Sequence, residues 1–273
     1  MFKPNVSTTR IGTAAGLLEL IFHATVREIR KSHGNAVIGL IVNMFQAMLF
    51  VTVFYVMFTV LSIRSVAVRG DFLLYVMTGV FLFMTHTKAM SAVVGSEGPA
   101  SPMMHHAPMN TAVAISSAAL ASLYLQLLSM LVILTLYYTL STPFTIEDPI
   151  GAMGMFLLAW FSGVAVGMVF LAAKPWFPGF VGIASTIYAR ANMIASGKMV
   201  LANTLSPKML AMFSWNPLFH TIDQARGFTF INYNPHNSSI AYPIYVILAL
   251  IMIGLMGEFF TRTHASISWS AKR

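Results

Sequence analysis

The stretch TIYARANMIASGKMV, residues 186–200, continues an apolar run that begins near Phe180, yet it holds Arg190 inside it and Lys198 near its end. A guanidinium forms planar, bidentate, charge-assisted hydrogen bonds with an anion. A charge at membrane depth normally faces a bundle interior or a water-filled path. Two readings of Arg190 follow. It either meets an anion that passes by, or it is a structural arginine bonded to carbonyls or to Asn and Gln of neighbouring segments. Asn192 lies two residues away and cannot share its helical face.

Other chemistries exclude themselves. Gly197-Lys198 is followed by Met199, not by the hydroxyl of a phosphate-binding Gly-Lys-Ser/Thr loop, and no glycine precedes at the required distance. The chain alone is therefore not expected to hydrolyse ATP. A zincin HExxH pair is missing. His105 and His106 are adjacent, so a helix cannot aim both at one metal, and no third ligand is near. Ser196 in IASG has Ile194 where the serine motif of rhomboid proteases carries glycine, and the last apolar segment offers no histidine. The absence of cysteine removes thiol and disulfide chemistry. All eight acidic residues lie in loops or at segment ends, with Glu258 the nearest exception, which argues against a transporter driven by protons or sodium. Asn43 with Gln46, and Ser122 with Gln126 and Ser129, fall on shared helical faces and are expected to bond between helices.

The elements that must position these residues are membrane spans. The chain is 57% hydrophobic and 9% charged, far from the roughly one-quarter charge of a soluble domain. An all-α integral membrane protein is predicted, with six spans at about 36–62, 72–94, 112–138, 150–172, 178–197 and 242–261. MFKPNVSTTR shows no cleavable signal pattern. Residues 12–32 precede the first span as an amphipathic helix, with Leu18, Ile21, Phe22, Thr25 and Ile29 opposite Glu19, His23, Arg27 and Arg30. This helix either lies in the headgroup layer or packs its apolar face on protein. The formal charge of +8 is scattered, which favours anionic headgroups over nucleic acid. With the N-terminus inside, ten basic residues fall on the inner side, five on the outer, and Arg190 in between, so both termini are expected in the cytoplasm. The loop 199–232 reads as two short helices starting at Pro207 and Pro217. Its Trp215, Phe219, Phe228, Phe230 and Tyr233 suit either sugar stacking or an aromatic belt.

Residues 190–227 carry the most specific pattern: an arginine within the fifth span, Ser196-Gly197, Pro207, then WNPLFHTIDQARG. This pattern, with REIRKSHGNAVIGL at the start of span 1, resembles the permease subunit of a type-2 ABC exporter, in the branch that exports capsule and O-antigen polysaccharides. The chain departs from that family at His33 (usually tyrosine), in lacking a tryptophan after Gly39-Leu40, and at Gly98 and His105-His106. The resemblance implies an interface helix, six spans and two re-entrant outer gate helices. It further implies a homodimer in the bacterial inner membrane, working with two copies of a separate ATPase that bind ATP and magnesium. Residues 95–110 would be the cytoplasmic coupling element, with Glu97, Met103, Met104, His105 and His106 facing the ATPase. Arg190, Lys198, Trp215, Phe219, Arg226 and Tyr233 would line the path of a lipid-linked polysaccharide. The alternatives are a drug or lipid exporter of the same superfamily, or a membrane-embedded enzyme or scaffold of glycan assembly. The topology is checked by labelling: cysteines at Ser141 and Ser238 are expected to react from outside the cell and one at Ser270 only from inside, and the reverse pattern excludes this orientation.

Overall fold

The computed structural model describes residues 10–31, 35–60, 71–98, 110–140 and 143–264. Among them are nine α-helices and no strand: α1 Arg10–Lys31, α2 Ala36–Val60, α3 Phe72–Gly95, α4 Thr111–Leu140, α5 Pro149–Ala173, α6 Pro178–Ala195, α7 Pro207–Phe213, α8 Pro217–Thr229 and α9 Ala241–His264. Five of them, α2, α3, α4, α5 and α9, are long and apolar enough to cross a membrane, which fits a multi-pass membrane protein. They match five of the predicted spans to within three residues. The other predicted span, 178–197, appears as α6 but is not among the five. Ser185, Thr186, Tyr188, Arg190 and Asn192 dilute the apolar run of this 18-residue helix.

Local chemistry sets the helix starts. Asp71 accepts a hydrogen bond from the Leu73 amide and caps α3, and it also accepts from the Tyr137 hydroxyl of α4. Asp148 takes the Ile150 and Gly151 amides at 3.0 Å, with Pro149 at the first turn of α5. Pro207 and Pro217 open α7 and α8, the first-turn positions expected from the sequence.

Helices α3 and α5 form the centre and are buried over most of their length, while α2, α4 and α9 bury one side only. Lipid gives apolar side chains no reason to leave it for each other, so helices associate where small residues let them approach. A Cβ on Gly163 of α5 would stand 2.2 Å from the His86 carbonyl oxygen of α3. Polar side chains then bond across the seams. Asn43 Nδ2 donates to Ser129 Oγ at 2.8 Å, and Gln126 Nε2 donates to Asn43 Oδ1 at 3.0 Å, joining α2 to α4; of the other residues on the two polar faces, Gln46 accepts from Lys88 of α3 and Ser122 donates within its own helix to the Ala119 carbonyl. His86 Nδ1 lies 2.8 Å from Ser162 Oγ, and its Nε2 lies 3.2 Å from the Tyr188 hydroxyl, which ties α6 to α3 and α5.

The amphipathic helix packs on α4 around buried Ala24. Leu18 and Phe22 stay exposed, so the face that meets protein is rotated away from the most apolar stripe. Most of the predicted coupling element, including Met103, Met104, His105 and His106, lies outside the described residues. Glu97 is half-buried just beyond the end of α3.

Gly163→Val should overpack the α3–α5 seam and destabilise the protein by roughly 1–3 kcal/mol. Gly154→Val, on the same helix with nothing within 4 Å of the added atom, should leave stability unchanged. Thermal unfolding in detergent, followed by intrinsic fluorescence, checks the difference.

Candidate functional site

The chain leaves α6 at Ala195 and reverses at Gly197, whose φ is +68°. L side chains rarely adopt that conformation. The position is also crowded, since a Cβ there would lie 2.4 Å from Cδ2 of Phe219. The turn then presses onto α3 at Gly79, where a Cβ would stand 2.7 Å from the Lys198 carbonyl oxygen. Two needs arise here, hydrogen bonds for the backbone and stabilisation of the lysine's ammonium, and they are met differently.

Arg226 meets the first. It projects from α8 and is fully buried. Its Nη1 donates to the carbonyls of Gly197 and Val200 at 3.0 and 2.7 Å, and its Nη2 to that of Lys198 at 2.5 Å. The guanidinium carbon lies 4.1 Å from the centre of the Tyr75 ring. Among the described residues Arg226 forms no ion pair, and its Nε has no hydrogen-bond partner. Three carbonyl dipoles and a ring face stabilise the charge in place of a carboxylate.

Lys198 is 3% exposed, and its side chain runs from Gly79 into the seam between α2 and α3. The ammonium sits 3.6 Å from the Phe83 ring centre, 4.5 Å from that of Phe54 and 5.7 Å from that of Phe50. Among the described residues it has no hydrogen-bond partner. The ring faces stabilise it.

The segment that carries Arg226 braces itself. Asn216 caps α8 through the Leu218 amide, and its Nδ2 donates to Asn192 Oδ1 and to the Ala195 carbonyl at the end of α6. Leu218 is fully buried. His220 Nε2 is 2.6 Å from the Ser214 carbonyl, and its Nδ1 accepts the Ser239 amide at 3.1 Å. Asp223 is buried and accepts from the Tyr233 hydroxyl at 2.5 Å, the Ser238 hydroxyl at 2.7 Å and the Ala202 amide at 3.3 Å. Burial, and then the Asp223 carboxylate beside it, push the Tyr233 phenol well above its usual value and keep it a donor.

The structure thus gathers Lys198, Phe219, Arg226 and Tyr233 around one turn. Arg190 is not part of the cluster. It is exposed on the side of α6 that carries exposed Ile183, Ile187 and Ile194, and it makes no hydrogen bond or ion pair with a described residue. Asn192 is buried, on the other side. The sharp reversal at Gly197 is what separates Lys198 from Arg190. Of the five aromatics considered for sugar stacking or a belt, Phe219, Phe230 and Tyr233 are core, Phe228 is half-buried and Trp215 is 63% exposed. Asp223, a loop acid by sequence, is buried. Its signal was available: it stands among Leu218, Phe219, Ile222 and Ala225, an apolar surround unusual for a solvated carboxylate.

Comparison with known proteins finds no matching family model and no matching curated protein.

Arg226→Met would take this donor from the Lys198 and Val200 carbonyls, while the Gly197 carbonyl keeps the Val200 amide at 3.1 Å, at about 1–3 kcal/mol for each unmet group. Gly197→Ala adds backbone strain and a clash with Phe219. Both substitutions should sharply raise amide hydrogen exchange across 196–205 while leaving α4 protected; unchanged exchange in Arg226→Met would show that the clamp is dispensable.

Proposed function

We propose that this chain is the membrane permease of an ATP-driven exporter, and that its cargo is a lipid-linked polysaccharide of the capsule or O-antigen kind. On this reading α6 is a sixth span, α7 and α8 form an outer gate, and both termini are cytoplasmic in a bacterial inner membrane. Two copies of the chain pair with two copies of a separate ATPase, which supplies ATP and magnesium chemistry.

The observation that carries the reading is Arg190. Its charge stands on an exposed apolar face of α6 and has no partner among the described residues. Insertion scales put a central arginine at about 2.5–3.5 kcal/mol. A structural arginine would have been expected to bond inward, as Arg226 does. An outward guanidinium suits a hydrated path, where it meets the phosphate of a lipid-linked glycan in bidentate fashion. The NPL-H-R pattern of residues 216–226 supports the family assignment, and its residues also brace the turn beside α6.

The test combines export with assembly. Arg190→Gln is expected to insert, keep its dimer and ATPase, and stop export, with glycolipid accumulating on the cytoplasmic side. Arg190→Lys keeps the charge without the planar fork and should retain part of the activity. Normal export by Arg190→Gln would remove Arg190 from the path. Wild-type protein that binds no ATPase but turns over a lipid-linked glycan alone would favour an enzyme. Co-purification of the ATPase with other lipids or drugs would favour a different cargo.

A further inference from the structure

The turn at 197–200 is fastened twice, in two different ways. Its backbone is fixed to α8 and α3, because Arg226 holds three of its carbonyls and Gly79 leaves no slack. Its Lys198 side chain reaches across to α2, where Phe50 and Phe54 form two walls of the cage and Phe83 of α3 the third. No described residue supplies an acceptor to that ammonium.

A neighbouring lysine shows that the seam is able to supply one. Lys88 Nζ donates to Gln46 Oε1 at 2.6 Å, and Gln46 lies one turn along α2 from Phe50. At Lys198 the facing positions are phenylalanines. A methionine would fill this space without unmet donors. The ammonium therefore adds an opposing tendency: whenever the seam loosens and water or an anion reaches it, three hydrogen bonds become available to it.

We propose that Lys198 is a releasable latch. In this conformation it joins α2 to the turn held by α8, and it leaves the cage when α2 moves away from α3. Separation of α2 from α3 and loosening of the α6–α8 connection are then one coupled event, since the turn backbone and the caged side chain belong to the same residue. The latch follows from the geometry of the chain, whatever its cargo.

The chain has no cysteine, so introduced ones label cleanly. Val56 of α2 and Met212 of α7 are both exposed and accept nitroxide labels. Label–label distances would be measured in phosphatidylcholine nanodiscs, with labelled protein diluted in unlabelled protein to suppress distances between copies. The wild type is expected to show a main distance and a minor second one. Lys198→Met should remove the minor one, and Phe54→Leu with Phe83→Leu should raise it at least threefold. Identical distributions for wild type and Lys198→Met overturn the proposal, as does a larger second population in Lys198→Met. A second measurement covers a cage variant that fails to fold. Amine modification of Lys198, compared by mass spectrometry with exposed Lys208, should be slow in the wild type and at least threefold faster in Phe50→Leu. An unchanged rate overturns the latch.

Discussion

Non-helical backbone enclosed by apolar side chains must find internal hydrogen-bond partners, because neither water nor lipid supplies them there. Residues 197–200 are such a segment, and Arg226 answers the need with one side chain on three carbonyls. Much of the surrounding architecture follows from placing that guanidinium. Helix α8 has to be buried to bring it in, so Asn216 and Pro217 begin the helix against the end of α6. The chain that returns from α8 has to stay close, so Asp223 takes Tyr233 and Ser238. Gly79 and Gly197 supply the space that the approach requires. The last turn of α8 also pairs with the residues that precede α5, where the Asp148 amide donates to the Phe228 carbonyl at 2.8 Å. The clamp is thereby connected to the two central helices.

Most of the helices were legible because their causes are local. Runs of about 20 apolar residues mark five spans, and prolines mark the starts of α7 and α8. The polar faces of α2 and α4 were legible from helical spacing, since residues three and four apart share a face wherever the helix sits, but that Asn43 meets Gln126 and Ser129 while Gln46 meets Lys88 was not. The status of α6 was less legible. Its length suits a span, but its hydropathy is shared among Ser, Thr, Tyr, Arg and Asn, whose directions the composition does not reveal. The cluster around the turn was legible only as a set of residue types. Asp223 meets partners 10, 15 and 21 positions away, and no periodicity encodes those distances. The rotation of α1 was missed for a related reason: Ala24 contributes little to an amphipathic pattern, yet small size is what close packing on α4 uses.

Three cations from one short region meet three different environments, and backbone geometry decides which. Arg226 grows from a helix wrapped by its own neighbours, so all its surroundings are protein and its Nη donors bond to carbonyls. Lys198 follows a left-handed residue, and this swings its side chain inward among phenylalanines. Arg190 sits mid-helix, where direction is fixed by phase: the turn that buries Asn192 toward Asn216 must turn Arg190 out. Asn192 is held by the Asn216 amide, which also caps α8 and bonds the end of α6. The outward aim of Arg190 is therefore a consequence of how the turn and α8 are fastened. Whatever medium covers that face of α6 has to accept a guanidinium. Hydrocarbon does so poorly, whereas water or an anionic group does so well. The Asn216 bonds that seat α8 against α6 thus also present a charge that has no partner among the described residues.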